Sequence, residues 1–155
     1  MGQVFKERNI EVAAHLPDKV ALVTADLDRM IQVMLNLLSN AAKFCDAGNG
    51  RVEISLVERG ASLQVDVRDN GRGISPEHQT EIFSKFHQVG DTLTDKPHGS
   101  GLGLHISRQI IEHFGGRLWV ESDLGCGACF SFTVPTRVSA RAGYTSVPSP
   151  IGASE

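Results

Sequence analysis

No run of apolar residues in this 155-residue sequence approaches the ~20 that a membrane-spanning helix needs. No apolar signal region follows the N-terminus either. From these absences we expect a soluble, cytoplasmic domain without membrane contact, even if a longer parent protein is membrane-anchored. An excess of positive charge is also missing: 15 Lys and Arg stand against 18 Asp and Glu, a net charge of −3, so nothing provides the basic footprint of a nucleic-acid binder. The three cysteines, Cys45, Cys126 and Cys129, are too few for a disulfide scaffold. Cys126 and Cys129 have C-x-x-C spacing, but a structural zinc needs four ligands and a redox motif belongs at the opening of a helix rather than in a Gly-rich turn. Incidental thiols are expected. Met1-Gly2 starts like a myristoylation site, yet Lys6 stands where Ser or Thr is required, which reads as the start of an excised segment.

What is present, 41% hydrophobic and 21% charged residues, suffices for one compact domain with its own core. Residues 26–44 predict the central element, an amphipathic helix with Asp26 as N-cap and Met30, Val33, Met34, Leu37, Leu38 and Ala41 as its core stripe. On the same helix Asn36, Asn40 and Lys43 fall at i, i+4 and i+7 and share a face. The plain alternative is a solvated face. Against it stand the flanking Leu37, Leu38, Ala41 and Ala42, and amide oxygens beside an ammonium suit a hydrated Mg²⁺ and phosphate oxygens.

In chain order, the apolar runs 9–14 and 20–24 around Leu16-Pro17-Asp18 predict a hairpin leading into the helix. Residues 51–58 and 62–68 alternate as a second hairpin around Arg59-Gly60-Ala61. This hairpin runs into Asp69-Asn70-Gly71-Arg72-Gly73-Ile74, a carboxylate at a strand end followed by two glycines that free the backbone to approach a flat ligand. An ordinary Asp-Asn-Gly turn is the alternative, and the spacing does not fit an EF-hand. Ser75-Pro76-Glu77 predicts an N-capped helix to about Phe83, with Phe83 and Phe86 as core anchors. Residues 87–98 are polar and irregular, of a length reserved for lids or disorder. Gly99-Ser100-Gly101-Leu102-Gly103-Leu104 then opens a helix through His113, where free amides and the helix dipole favour phosphate. Residues 117–121 and 128–134 predict a last hairpin, and 136–155 a linker or frayed tail.

The order Asn-x3-Asn-x2-Lys, Asp-x-Gly-x-Gly, a Phe pair, a long polar stretch and Gly-x-Gly-x-Gly closely resembles the ATP-binding catalytic domain of sensor histidine kinases. That domain belongs to the GHKL superfamily, which also holds gyrase-type, Hsp90-type and MutL-type ATPases. NLLSNAAKF resembles the N box, DNGRGI the G1 box, IFSKF the F box and GSGLGL the G2 box. The resemblance implies a two-layer α/β sandwich of GHKL (Bergerat) type, a mixed sheet packed on one face by helices, binding ATP and Mg²⁺. It implies a catalytic domain over 9–135, a connection to a dimerisation and phosphoacceptor domain over 1–8, and a disordered tail or linker over 136–155.

By the same resemblance, Asn40 would be the main Mg²⁺ ligand with Asn36 supporting, and Lys43 would touch phosphate. Asp69 would accept a hydrogen bond from the adenine amino group. Gly71 and Gly73 would admit the base, Ile74 and Phe86 would wall its pocket, and Gly99, Ser100, Gly101, Leu102, Gly103 and Leu104 would cradle the phosphates. Gln88 stands where an Arg reaching the γ-phosphate is common, with Lys96 a candidate substitute, and Cys129 stands where Thr is common. No histidine is followed by an acidic residue as the family's phosphoacceptor is. The expectation is therefore an enzyme incomplete alone: a monomeric kinase domain that passes the γ-phosphoryl group to a histidine on a separate helical domain of the same parent kinase, and indirectly serves a response regulator. The alternatives are an ATP-binding regulatory module without transfer, or another GHKL ATPase or serine kinase.

Overall fold

The computed structural model describes residues 1–86 and 101–137. The expected lid 87–98 with Gln88 and Lys96, the residues Gly99 and Ser100, and the tail beyond 137 lie outside the described residues. Nine elements follow in order: α1 (Gly2–Glu7), β1 (Glu11–His15), α2 (Leu27–Phe44), β2 (Arg51–Arg59), β3 (Ser62–Asp69), α3 (Pro76–Glu81), α4 (Gly103–His113), β4 (Leu118–Ser122) and β5 (Ala128–Pro135). The strands form one mixed sheet in the order β1-β2-β3-β5-β4. Only β1 and β2 are parallel; the other neighbours are antiparallel. Helices α2 and α4 pack on one another and on β3, β4 and β5, giving the expected α/β sandwich. Among the described residues no helix is long and apolar enough to cross a membrane.

Helix α2 starts where its cap dictates, with Asp26 Oδ1 accepting from Arg29 N at 3.1 Å. Its stripe enters the core as patterned: Val33 and Leu37 are fully buried, Ala41 and Ala42 nearly so, and Met30, Met34 and Leu38 pack against them. Burying a side chain such as Leu37 contributes roughly 1.5–3 kcal/mol. The opposing sheet face is laid down by strand periodicity. Register aligns Leu56, Val65, Phe132 and Leu118 in one row, Ile54, Val67, Phe130 and Val120 in the next, and Val52, Asp69, Ala128 and Ser122 in a third. The last row of an otherwise apolar face therefore carries a carboxylate, Asp69, and a hydroxyl, Ser122.

Several expectations are corrected. Residues 9–24 do not form a hairpin: β1 pairs in parallel with β2, the crossover that parallel pairing demands being supplied by α2. Residues 20–24 contribute one bridge, Val23 to Thr136. Helix α3 ends at Glu81 rather than near Phe83, and Ser75 makes no capping bond to its backbone, because its Oγ pairs with His78 Nδ1 at 2.8 Å. Phe83 is buried and meets Phe130 edge-on. Phe86 is no core anchor; it is 72% exposed, since the chain turns there with φ of 60°. Residues 2–7 form α1, which places Phe5 in the common core.

Candidate functional site

The asparagine-bearing face of α2 meets the start of α4. Asn36 Nδ2 donates to Gly103 O at 3.1 Å and to Ser107 Oγ at 3.0 Å. Since a carbonyl only accepts, Gly103 fixes the orientation of the Asn36 amide and leaves Oδ1 as its acceptor end. Gly103 has close packing to match: a Cβ there would stand 3.4 Å from Asn36 Oδ1. Ser107 is fully buried. One turn on, Asn40 is half-buried, and Lys43 is exposed. Lys43 Nζ lies 4.9 Å from the centroid of the Phe44 ring, and the Arg72 guanidinium carbon 5.0 Å from the same centroid, so two cations gather at the C-terminal end of α2.

The second component is the loop after β3. Asp69 is 5% exposed, and its Oδ1 accepts from Gly71 N at 2.9 Å. Burial pushes the Asp69 carboxyl above its ordinary value, opposed by the N–H groups of Gly71 and Ala128. Such a carboxylate has capacity left for a donor from outside. The glycines that follow are required by space: a Cβ on Gly71 would overlap the Phe44 carbonyl, and one on Gly73, at φ of 73°, the Asp123 carbonyl. Ile74 is half-buried against the core.

The third component is the N-terminus of α4. Among the described residues no side chain caps this 11-residue helix, and the first amides of a helix have no partner within it. Gly101 has φ of 67° and its carbonyl accepts from Phe86 N at 3.1 Å. Leu102 begins the helical ladder by accepting from Ile106 N at 2.9 Å, and Leu104 packs against the core.

The fold thus brings Asn36, Asn40, Lys43, the Asp69–Ile74 loop and the start of α4 to one helix; Gly99 and Ser100 lie outside the described residues. Asn36 touches the N-terminus of α4, while Phe44, eight residues further along, touches the Asp69 loop. At 1.5 Å rise per residue the two contacts stand about 12 Å apart, with Asn40 and Lys43 between them. Among the described residues no group of three or more His, Cys, Asp or Glu side chains could hold a metal; the oxygen donors that this face of α2 offers are the amides of Asn36 and Asn40. Hydrated Mg²⁺ fits that donor set, because it keeps its waters and shares phosphate oxygens.

Of the histidines described, His15 and His113 are exposed. His105 Nδ1 pairs with the Phe83 carbonyl at 3.2 Å, and its buried Nε2 has no hydrogen-bond partner among the described residues. Cys126 is exposed and Cys129 buried, both free. Two open concavities, of about 500 and 420 Å³, lie elsewhere and hold none of the predicted site residues. Sequence reasoning missed Ser107, Gln79 and Ser122. Ser107 stands one turn after Gly103, and Ser122 has the inward parity of Val120; both signals were legible.

The chain matches the histidine kinase-, DNA gyrase B- and HSP90-like ATPase family over residues 25–138. It is 43% identical to the adaptive-response sensory kinase SasA of Parasynechococcus marenigrum over 136 residues, 87% of this chain and 35% of that protein. It is 42% identical to the sensor histidine kinase AruS of Pseudomonas aeruginosa over 117 residues, 74% of this chain and 12% of that protein. The chain therefore spans about a third or less of these relatives. Among solved structures, the catalytic domain of histidine kinase ThkA superimposes with a TM-score of 0.75 at 31% identity, covering 87% of this chain and 84% of that one. Full-length ShkA in complex with AMPPNP gives 0.76 at 31% identity, covering 88% and 27%.

Proposed function

The chain belongs to the histidine kinase-, DNA gyrase B- and HSP90-like ATPase family, and from that premise we propose that it binds Mg-ATP along α2 and donates the γ-phosphoryl group to a histidine on a separate helical domain. The observation that carries the reading is the buried Asp69 carboxylate at one end of α2, with the α4 N-terminus, which no side chain among the described residues caps, at the other. A donor-rich base and an anionic phosphate chain complement these two ends.

In this reading Asp69 accepts from the adenine amino group, Gly71 and Gly73 let the base approach, and Ile74 and Phe86 flank it. Asn40, supported by Asn36, would hold Mg²⁺. The ion supplies charge neutralisation of the phosphate oxygens. Lys43 contacts phosphate as a point charge. Gly101, Leu102, Gly103 and Leu104 present backbone amides to the phosphates, and Gly99 and Ser100 extend the cradle on the ground of sequence alone. Catalysis by these residues is positioning and electrostatic stabilisation of the transferred group, as in phosphoryl transfer generally. The acceptor histidine and its base come from elsewhere in a longer kinase, and a response regulator would take the phosphoryl group from there. Support for such a partner comes from histidine kinase ThkA, which was solved in complex with the response regulator TrrA; this chain is 28% identical to it, with a TM-score of 0.71, covering 89% of this chain and 37% of that one.

The test is titration with a non-hydrolysable ATP analogue, with and without Mg²⁺, followed by transfer from ATP to an added acceptor domain of a related kinase. Saturable binding whose Mg²⁺ dependence is lost in Asn40→Ala, with label appearing on the acceptor, is the expected result. Label on this chain itself, or steady phosphate release by it alone, would overturn the reading. Binding without transfer would leave a regulatory ATP module.

A further inference from the structure

Asp69 belongs to a row. Val52, Asp69, Ala128 and Ser122 are register partners across β2, β3, β5 and β4, and cross-strand partners project to the same face. Ala128, a single methyl, stands between the carboxylate and the Ser122 hydroxyl. That hydroxyl is used twice: Ser122 Oγ accepts from Ile74 N at 2.8 Å and donates to Gly127 O at 2.6 Å. A carbonyl can only accept, so the hydroxyl proton points to Gly127.

Gln79 of α3 completes the arrangement, its Nε2 donating to Ile74 O at 2.9 Å and to Ser122 O at 2.7 Å. Ile74 is thereby held at both its N–H and its C=O. The same loop is tied to the β4–β5 turn once more, where Gly125 N donates to Arg72 O at 2.8 Å. Gly127, held by Ser122, packs directly on the Asp69 backbone, where a Cβ would overlap its carbonyl. The base-facing loop has a carboxylate at its start and a clamped peptide at its end.

We propose that Ser122, assisted by Gln79, is a positioning residue for base selection: it locks the Asp69–Ile74 loop to the β4–β5 turn so that the Asp69 carboxylate stands where a purine 6-amino group donates to it. This rests on reading Asp69 as the adenine contact. Only a hydroxyl both accepts from Ile74 and donates to Gly127 at this spacing. Loss of the clamp leaves the apolar walls in place but lets the carboxylate drift, and misplacement by an ångström is enough to forfeit a directional contact. Discrimination, as a difference of affinities, falls before overall binding does.

The experiment compares ATP with inosine triphosphate, which carries a 6-oxo group in place of the amine, in the full chain and in Ser122→Ala, Ser122→Thr and Gln79→Leu, beside the thermal midpoint of each ligand-free protein. Expected are a roughly tenfold loss of ATP affinity in Ser122→Ala, little change for inosine triphosphate, and restored preference in Ser122→Thr. A folded Ser122→Ala that keeps the ATP preference, or that weakens both nucleotides equally, overturns the proposal and leaves the Asp69 contact standing. If Ser122→Ala does not fold, Gln79→Leu decides by the same criterion. A wild-type chain without preference for ATP fails the Asp69 reading, and this proposal falls with it.

Discussion

Replacing Asp69 by Asn changes the charge and donor pattern of one buried atom while conserving volume, so its consequences separate cleanly. Gly71 N, 2.9 Å from Asp69 Oδ1, needs an acceptor and claims the amide carbonyl of the variant. The amide NH₂ is then presented to the ligand, donor against the donor of adenine. A hydrogen bond to a charged group is worth about 1.5–3 kcal/mol, so ATP affinity should drop roughly 10- to 150-fold, read by calorimetric titration. A 6-oxo purine nucleotide, repelled by the carboxylate, should lose less or gain. Binding of ATP within threefold of wild type would refute the assignment.

Ligand-free stability moves by a different rule. Burial raises the native carboxyl above its ordinary value of 3.8, so between that value and the raised one the native state binds more protons than the unfolded state. Stability of the wild type therefore falls as pH rises through this window, and at neutral pH the buried charge is a cost. The unfolding free energy of Asp69→Asn minus that of wild type should rise with pH across the window, whatever constant penalty the weakened Ala128 hydrogen bond adds. A difference independent of pH, measured by denaturant titration between acid and neutral conditions, would sink the argument.

Asn36→Ala removes both donors that tie α2 to α4 and leaves the buried Ser107 hydroxyl without them; a loss of about 1–3 kcal/mol in denaturant unfolding should accompany weaker nucleotide binding, and unchanged stability would count against the strut. Gly125 and Gly127 have similar φ of 80° and 82°, but only Gly127 has backbone in the way of a Cβ. Gly125→Ala should cost about 1–2 kcal/mol, and Gly127→Ala distinctly more together with nucleotide binding; equal thermal shifts would contradict this. Burial pushes the Cys45 and Cys129 thiols up, while Cys126 is exposed. Brief alkylation at neutral pH should give one adduct by mass spectrometry, at Cys126, and three only after unfolding.

Local rules made much of the molecule legible in advance. The bounds of α2 followed from a cap and a 3.6-residue stripe, both short-range devices. The β2–β3 and β4–β5 hairpins followed from alternation interrupted by glycine. The candidate site residues were nominated by type and order, asparagines and lysine on a helix face and glycines beside a carboxylate, since their chemistry is intrinsic. Even the burial of Asp69 was implicit, for it shares parity with Leu63, Val65 and Val67.

What the sequence could not decide was partnership at a distance. A short apolar strand carries no record of its neighbour, so β1 was expected to fold back on residues 20–24, whereas crossing over α2 lets it pair in parallel with β2. Phe83 and Phe86 look alike in the chain, yet a positive φ turns one outward. The Asn36–Gly103–Ser107 strut and the Ser122–Gln79 clamp join residues 43 to 71 positions apart. Such contacts exist only after the sheet has set its register and α4 has packed on α2, because hydrogen bonds of this kind depend on ångström placement that no local preference encodes. Composition and periodicity determined which elements form and which chemistry they carry; packing alone determined which of them meet.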